Sequence, residues 1–407
     1  MRRVLGSCVL LLLGLAGCTD INPAYCNPRV QSCGTSEGLD AAHEEADFRA
    51  PDERDLRWEL PPQDMRAGCR EGSDCESRIC QADRSCAPTS DVIYVDNRGG
   101  RCTGVHAGTL ADPLCTTREG LEAAARTGKG KIYLFPSSAP YEAVVLESRT
   151  LSLYGPGGFA GQTARIEGSG GSAVSVRYAG RVVLDGLELS GGAASTLSCQ
   201  AGMGSTPQVT VLRSRLRDSA QSGVYSQGCH VIVMRSALYG HRSRGVTSES
   251  GGDLLIENCF IIYNNQGGVR ISSGTGRVRF STLVYNGLPG GIGGVECGSS
   301  GGTKVIEGSI LVNNGRPVGG SQVSSACRLV RSAIDEDAVP NGSENRLHAN
   351  PDFVGFQDFR LRRGAGSNAC CIDQLDGVPG VADVEVDIDG TPRPQGPRWD
   401  IGGHEVK

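Results

Sequence analysis

Two glutamates and an arginine between them are spaced in the sequence so that they could act together on a bound polymer. Glu249, Arg270 and Glu296 are separated by 21 and 26 residues, and Tyr225 precedes Glu249 by 24 residues. Paired carboxylates and an arginine suit a glycosidase or a polysaccharide lyase, and a tyrosine ring can stack on a sugar. The same residue types are typical of a solvated sheet face with weak ion pairs. We therefore treat these four residues as a candidate binding site and identify no catalytic residue.

These candidates lie in a repeat with a period of 20 to 30 residues. One column pairs a small residue with an aliphatic one: Ala173-Val174, Gly223-Val224, Gly245-Val246, Gly268-Val269 and Gly294-Val295, with weaker copies at Leu197 and Val323. A second column places a branched aliphatic three residues before a small residue: Val211, Val233, Ile256, Val278 and Ile306 before Ser214, Ser236, Cys259, Ser281 and Ser309. Apolar and polar residues alternate between the columns, which predicts strands wound into a solenoid.

The two columns resemble the right-handed parallel β-helix of the pectate-lyase-like superfamily. The resemblance implies an all-β fold in which short strands stack about 4.8 Å apart around an aliphatic lumen. Asn264, Asn286 and Asn314 each follow the small column by five residues. They are expected either to form a ladder of asparagines between coils or to be unrelated turn residues.

The repeat lacks the motifs that known enzymes of this superfamily carry. Between residues 174 and 323 there is no Arg-x-Pro-x-x-Arg element and no adjacent aspartate pair, and the expected outward positions hold no aspartate. The resemblance therefore predicts the fold without identifying an activity. We expect no cofactor and no metal.

The segment before the repeat resembles the start of many β-helix proteins. A strand is predicted at Val92–Val95, followed by a helix with Thr116 and Glu119 as a capping box and Gly128 as its stop. Such a helix would cover the open end of the lumen. We predict a β-helix with an N-terminal cap over residues 91–375.

The C-terminal sequence resembles the closing segment of bacterial extracellular β-helix proteins. Asn350–Phe353 and the stretch from Asp389 to Glu405 carry the resemblance, which predicts a C-terminal capping segment over residues 376–407. An ion pair of Arg393 or Arg398 with Asp400 is left open. The alternating acids from Asp383 to Asp389, followed by a glycine, indicate either a calcium loop or, preferably, a strand closed by an Asp-Gly turn.

The N-terminal residues predict export. Two arginines, an apolar run from Val4 to Leu15 and Leu15-Ala16-Gly17-Cys18 resemble a bacterial lipoprotein signal over residues 1–17, with Cys18 lipidated. Residues 18–68 are expected to be a disordered acidic tether, because residues 34–68 hold ten acidic and four basic residues, a net charge of −6. This acidic segment accounts for nearly all of the net negative charge of the chain. We therefore expect no basic surface that would bind nucleic acid.

The cysteines predict an oxidising compartment, because the chain contains 17 of them. The pattern C-x5-C-x4-C-x5-C over Cys69, Cys75, Cys80 and Cys86 predicts a knob at residues 69–88 with two disulfides, zinc being the rival interpretation. We predict the bridges Cys102–Cys115, Cys199–Cys229 and Cys297–Cys327, the last two between neighbouring coils. Cys259 is the candidate unpaired thiol, and the pairing of Cys370 and Cys371 is left open.

Two functions are compatible with these observations. The preferred one is a non-catalytic surface lipoprotein, anchored in the cell envelope at the outer membrane or cell surface through the lipid on Cys18. It would present a rigid β-helix face for binding glycan or a cell-surface protein. The alternative is a polysaccharide lyase or glycoside hydrolase acting along the same outward sheet face.

Overall fold

The computed structural model describes residues 68–406, except 70–71, 82–83, 100–101, 103–104, 148–149, 158–162, 179, 316–319, 340, 356–357, 364–367 and 377–383. The predicted signal peptide, Cys18 and the predicted tether up to residue 67 lie outside the described residues. Among the described residues, no helix combines the length and apolar character needed to cross a bilayer.

The described residues form one α-helix, α1 (Thr117–Thr127), and a long succession of short strands. In chain order the strands are β1 (Val92–Val95), β2 (Lys131–Leu134), β3 (Tyr141–Glu142), β4 (Val144–Glu147), β5 (Leu151–Tyr154), β6 (Ala164–Gly168), β7 (Val174–Arg177), β8 (Arg181–Asp185), β9 (Leu187–Gly191), β10 (Leu197–Gln200), β11 (Gln208–Leu212), β12 (Arg215–Arg217), β13 (Val224–Gln227), β14 (His230–Met234), β15 (Ala237–Tyr239), β16 (Arg244–Glu249), β17 (Leu254–Glu257), β18 (Phe260–Ile262), β19 (Gly267–Ile271), β20 (Gly276–Arg279), β21 (Thr282–Val284), β22 (Ile292–Cys297), β23 (Lys304–Glu307), β24 (Ile310–Val312), β25 (Ser321–Val323), β26 (Arg328–Val330), β27 (Ala333–Ile334), β28 (Gly342–Ser343), β29 (Phe353–Gly355) and β30 (Asp358–Leu361).

Three parallel sheets wind around one lumen. Sheet I has eleven strands in the order β1-β2-β5-β8-β11-β14-β17-β20-β23-β26-β28. Sheet II has eight strands from β4 to β25, sheet III has nine from β3 to β27, and in both every third strand is a neighbour. Each coil therefore gives one strand to each sheet, as the repeat predicts. The sheets end at Ser343, earlier than the predicted β-helix boundary at residue 375.

The predicted columns are stacked interior files. In sheet II the pairing runs Val174, Leu197, Val224, Val246, Val269, Val295 and Val323 from one coil to the next. In sheet I it runs Val211, Val233, Ile256, Val278 and Ile306. All of these side chains are buried in the main apolar core, which confirms both registers.

The predicted asparagine ladder is present at one corner of the lumen. The Asn264 and Asn286 Nδ2 atoms each donate 2.9 Å hydrogen bonds to the Oδ1 of the asparagine on the next coil, and Asn314 donates to Gln322. The ladder continues to His241, whose backbone N–H donates to Asn264. His241 is fully buried.

The small column forms a second ladder, of serine hydroxyls. The Oγ of Ser281 accepts the backbone N–H of Cys259, and the Oγ of Ser309 accepts that of Ser281, both at 3.2 Å. Cys259 interrupts the hydroxyl ladder with a buried thiol that forms no disulfide. Small hydrogen-bonding side chains here let the chain turn a corner without leaving buried N–H groups unsatisfied.

The N-terminal cap agrees with its prediction. Thr116 and Glu119 form the capping box of α1, and Gly128 ends the helix with a φ of 73°. Ala123 and Ala124 pack into the lumen core, and a Cβ on Gly120 would lie 2.9 Å from Val95. The helix therefore closes the first coil.

All five predicted disulfides are present. The knob pairs Cys69–Cys80 and Cys75–Cys86, so its cysteines serve disulfides rather than zinc. The other bridges are Cys102–Cys115, Cys199–Cys229 and Cys297–Cys327. The knob also contacts sheet I, because the Tyr94 hydroxyl donates to the carbonyl of Ser77 and Ile79 packs beside the same tyrosine.

The C-terminal segment lies along the flank of the solenoid. Its apolar residues Leu375, Val384, Ile388 and Ile401 pack with Phe260, Ile310 and other residues of the outer side of sheet III. The N–H of Gly403 donates to the Thr282 hydroxyl, and the N–H of Gly402 donates to the Gly308 carbonyl. These contacts lie along the outer side of sheet III, on several coils, whereas a capping segment is expected to cover the end of the last coil. The outward aliphatic side chains of sheet III would otherwise be exposed to water, and the C-terminal segment buries them.

Candidate binding face on sheet II

The outward side of sheet II carries polar residues in two rows across successive coils. We call this surface the sheet II face, and it comprises Arg177, Gln200, Tyr225, Gln227, Glu249, Arg270 and Glu296. All seven are exposed or half-exposed. Side chains of a strand alternate between faces, so filling the lumen with valines places these polar neighbours outside. The structure thus brings all four predicted site residues to one surface.

Tyr225 and Glu249 form a pair across neighbouring coils. The tyrosine hydroxyl donates a 3.1 Å hydrogen bond to the Glu249 carboxylate. Partial burial and the nearby carboxylate raise the pKa of Tyr225, so its hydroxyl stays protonated. The hydrogen bond holds the hydroxyl end of the ring in place, and the residue as a whole is half-exposed.

Glu296 is held by two arginines. Arg244 approaches its carboxylate at 2.6 Å and Arg270 at 3.8 Å. Sequence analysis predicted Arg270 but missed Arg244. Arg244 lies at the start of β16, two residues before the repeated valine, so alternation alone does not show that its long side chain reaches across two coils.

The two glutamates of the face stand on strands two coils apart. Strand spacing and rise per residue of about 4.8 and 3.3 Å place the Cα atoms of Glu249 and Glu296 about 12 Å from each other. Their partners also lie in different directions, Tyr225 for one and Arg244 for the other. Glycosidases hold the two carboxyl groups themselves about 5 to 9.5 Å apart, so joint attack would require both side chains to leave these partners and approach each other. The spacing therefore suits contacts along a polymer better than joint attack on one bond.

The other end of the face contributes amides and an aromatic ring. Gln200 Nε2 donates a 3.1 Å hydrogen bond to Gln227 Oε1, and Arg177 lies 4.0 Å from Glu147. Tyr178 follows β7 and is 54% exposed, with its ring close to the backbone of Gly202. Sequence analysis missed Tyr178, because its φ of 50° lies outside the strand pattern.

The acids from Glu385 to Asp389 build structure. The Asp387 carboxylate accepts backbone N–H groups of Asp389, Thr391 and Glu405, and the Asp389 carboxylate accepts two bonds from Arg360. Asp387, Asp389 and His404 bring their ligand atoms within 4.8 Å of one another, but these hydrogen bonds already engage carboxylate oxygens that calcium would use. Of the preferred alternative, the turn before Gly390 is present and a single bridge joins Val386 to Pro392, but no strand forms at residues 384–390 and Asp387 is buried while Val386 is half-buried. Residue 383 lies outside the described residues.

The C-terminal segment contains a buried ion pair that sequence analysis assigned differently. Arg393 lies 2.9 Å from Glu405, and both side chains have no solvent exposure. The Asp400 carboxylate instead accepts the backbone N–H groups of Asp373 and Val406. Arg398 pairs at the surface with Asp376 at 2.8 Å. Neither arginine therefore pairs with the Asp400 side chain.

Comparisons with known proteins address the fold. Residues 151–332 match a family model described as a right handed beta helix region. The structure is similar to the crystal structure of pectate lyase Pel9A, with 14% sequence identity, a TM-score of 0.39, and coverage of 78% of this chain and 96% of that one. The comparison with curated proteins gave no significant match. The solenoid of this chain is a right-handed parallel β-helix.

Proposed function

We propose that this protein binds a glycan along the sheet II face without cleaving it. The observation that carries the proposal is a polar, half-exposed surface built on rigid strands, while the outward side of sheet III is covered by the C-terminal segment. Stacked coils repeat polar groups about every 4.8 Å, which suits an extended polymer better than a compact ligand.

The chemistry of the face supports a glycan over a protein partner. Tyrosine rings can stack on sugars, while amides and charged groups can bond hydroxyl and carboxyl substituents. Protein interfaces, in which tyrosine and arginine are also common, instead have a core that is more apolar and depleted of charged residues. The exposed part of the sheet II face between Gln200 and Glu296 holds amide, phenol and charged groups.

A lyase or hydrolase acting along this face is the competing proposal. It requires two groups close to one scissile bond, whereas Glu249 is engaged by Tyr225 and Glu296 by Arg244, and their Cα atoms are about 12 Å apart. Turnover that is lost in Glu249→Gln or Arg270→Gln would decide for the enzyme.

The test combines retention and activity on the same purified protein. Affinity electrophoresis through neutral and acidic polysaccharides should show retention by at least one polymer, and no unsaturated or reducing ends should be released. Tyr225→Ala should lose retention, whereas Tyr225→Phe should keep it because the ring remains. Arg126→Gln, on the exposed end of α1, is the control for Arg270→Gln. Equal retention of wild type and Tyr225→Ala would contradict the proposal.

The same proposal places the protein on the cell envelope through a lipid on Cys18. The lipobox-like Leu15–Cys18 motif and five disulfides support export into an oxidising compartment. Detergent phase partition of wild type and Cys18→Ser tests the anchor. The wild type should enter the detergent phase with an acylated N-terminal peptide, and a Cys18→Ser variant that partitions equally would contradict it.

A further inference from the structure

A cationic cleft lies at the corner where β22 leads into β23, away from the residues of the sheet II face. Its volume is about 710 Å³, within the range of about 300 to 1,000 Å³ that small-ligand sites occupy. Its lining includes two cationic side chains and no acidic one. The polar residues of this lining include Ser299, Lys304, Arg328, Asn341 and Ser343.

Lys304 reaches this cleft from an interior file. In sheet I, Val231 pairs with Leu254, Leu254 with Gly276, and Gly276 with Lys304. Val231 and Leu254 of this file fill the lumen with aliphatic side chains, and Gly276 leaves the position next to Lys304 without a side chain. A lysine in such a file places a charged group where the repeat otherwise buries apolar atoms, which is costly unless the charge is compensated.

Little in the described part of the chain compensates that charge. The Lys304 residue is 4% exposed, and its ammonium donates one hydrogen bond, at 2.5 Å, to the carbonyl of Ser300. No described carboxylate lies within 4.0 Å of it. Burial lowers the pKa of Lys304. An ammonium has three donors, so two of them remain for a ligand.

Arg328 supplies a second positive group on the adjacent strand. It pairs with Val305, the residue after Lys304, and its side chain is exposed. Among the described residues it forms no ion pair. Guanidinium groups bind oxyanions through paired N–H donors, and the hydroxyls of Ser299 and Ser343 lie on two further segments of the lining. Donors on several sides fit a tetrahedral oxyanion better than a planar carboxylate.

We infer that this cleft binds a ligand through a sulfate or phosphate ester, held between Lys304 and Arg328. Ester binding in this cleft does not require glycan binding at the sheet II face, so either proposal can be disproved without affecting the other.

The test measures binding of small esters to the full chain by isothermal titration calorimetry at constant ionic strength. Glucose 6-sulfate and glucose 6-phosphate distinguish the two sources of the oxyanion, and glucose and glucuronate are the comparison ligands. At least one ester should bind saturably, and more tightly than glucuronate or glucose. Lys304→Met, which restores an apolar chain to the file, should weaken that binding by at least about tenfold. Lys131→Met has the same charge change at a half-buried position in β2 and should bind as the wild type does.

Two further measurements keep the test decisive. Arg328→Gln changes an exposed side chain, so it reports on the cleft even if Lys304→Met folds poorly. The chain has only four lysines, Lys129, Lys131, Lys304 and Lys407, so spectra of ε-¹³C-labelled lysine resolve their titrations. The Lys304 signal should titrate below the others and move to higher pH when the ester binds. Absent binding, equal binding of glucuronate, or unchanged affinity in both variants would overturn the inference.

Discussion

Two arginine–glutamate pairs, one on sheet II and one on the segment that covers sheet III, differ in their exposure to solvent. On the sheet II face, Arg244 and Glu296 lie 2.6 Å apart with 17% and 30% of their side chains exposed. Beside the outer side of sheet III, Arg393 and Glu405 lie 2.9 Å apart with no exposure. A desolvated pair fixes a segment in one position, whereas a half-exposed pair keeps donors and acceptors available to a ligand. The same residue types thus serve structure on one flank and remain accessible on the proposed binding face.

The buried pair is supported by neighbours from two regions of the chain. Arg393 donates to the carbonyls of Asp400 and Gly402 and to the side chain of Asn258, and its guanidinium lies 5.2 Å from the centre of the Phe280 ring. Burial raises the pKa of Glu405 to about 7, although Arg393 opposes the change. The pair therefore joins the C-terminal segment to coils more than a hundred residues earlier.

The largest effect is expected for Arg393→Met. Removing Arg393 leaves the buried Glu405 carboxyl without its cation and the carbonyls of Asp400 and Gly402 without their donor, which should lower the free energy of unfolding by about 3–5 kcal/mol. The control is Arg398→Met, which breaks an exposed pair and should cost less than about 1 kcal/mol. Urea unfolding measures both. Equal losses would remove the distinction between buried and exposed pairs.

The second prediction concerns acid sensitivity at His241. Burial lowers the pKa of His241 from 6.5 to about 3. Because the folded pKa is depressed, the unfolded chain binds the proton more readily, and stability falls as pH drops below 6.5. The loss at pH 4 should be roughly 3 kcal/mol relative to pH 7.

His241→Asn checks this prediction, because the next coils carry asparagine at the same ladder position. The variant should unfold near the wild-type urea midpoint at pH 7 and above it at pH 4. Parallel loss of stability in both proteins would show that another group carries the acid response.

The third prediction concerns an exposed charge of the sheet II face. Arg270→Gln should change the free energy of unfolding by less than about 1 kcal/mol, because its pairing with Glu296 is long and half-exposed. Retention by the polysaccharide that holds the wild type should nevertheless weaken several-fold. A variant that loses stability but keeps retention would assign Arg270 to structure.

The smallest effect is expected at Cys259, which interrupts the serine ladder. Burial raises the pKa of the Cys259 thiol to about 12, so it should resist alkylation in the folded protein. Cys259→Ser restores a hydroxyl that can donate to the Glu257 carbonyl and accept the N–H of the preceding coil. Stability should stay level or rise by up to about 1 kcal/mol, and a clear loss would count against the ladder.

The sequence predicted what every coil must repeat. The files through Val224 and Val233 are visible because each coil fills the same lumen, and Asn286 because each corner needs the same hydrogen bonds. The bridge Cys199–Cys229 follows from coil spacing once the register is known. On the candidate site, the same alternation located Tyr225 on the outward face.

Features that occur once could not be derived in this way. The docking of Ile401 against sheet III depends on contacts distant in sequence, with no periodicity to indicate them. Arg244 is a binding-face residue only because its side chain reaches Glu296 across two coils. Lys304 breaks the apolar pattern of its file, and a lysine met in a sequence is ordinarily placed on the surface.

Carboxyl footprinting by mass spectrometry tests the central claim most directly. The protein is labelled with a carbodiimide and an amine, with and without the polysaccharide that retains it. Labelling of Glu249 and Glu296 should fall several-fold in the complex, while Asp376, whose side chain is 77% exposed on the C-terminal segment, should be labelled equally in both. Protection of Asp376 with unchanged labelling of Glu249 and Glu296 would contradict the sheet II face as the binding surface.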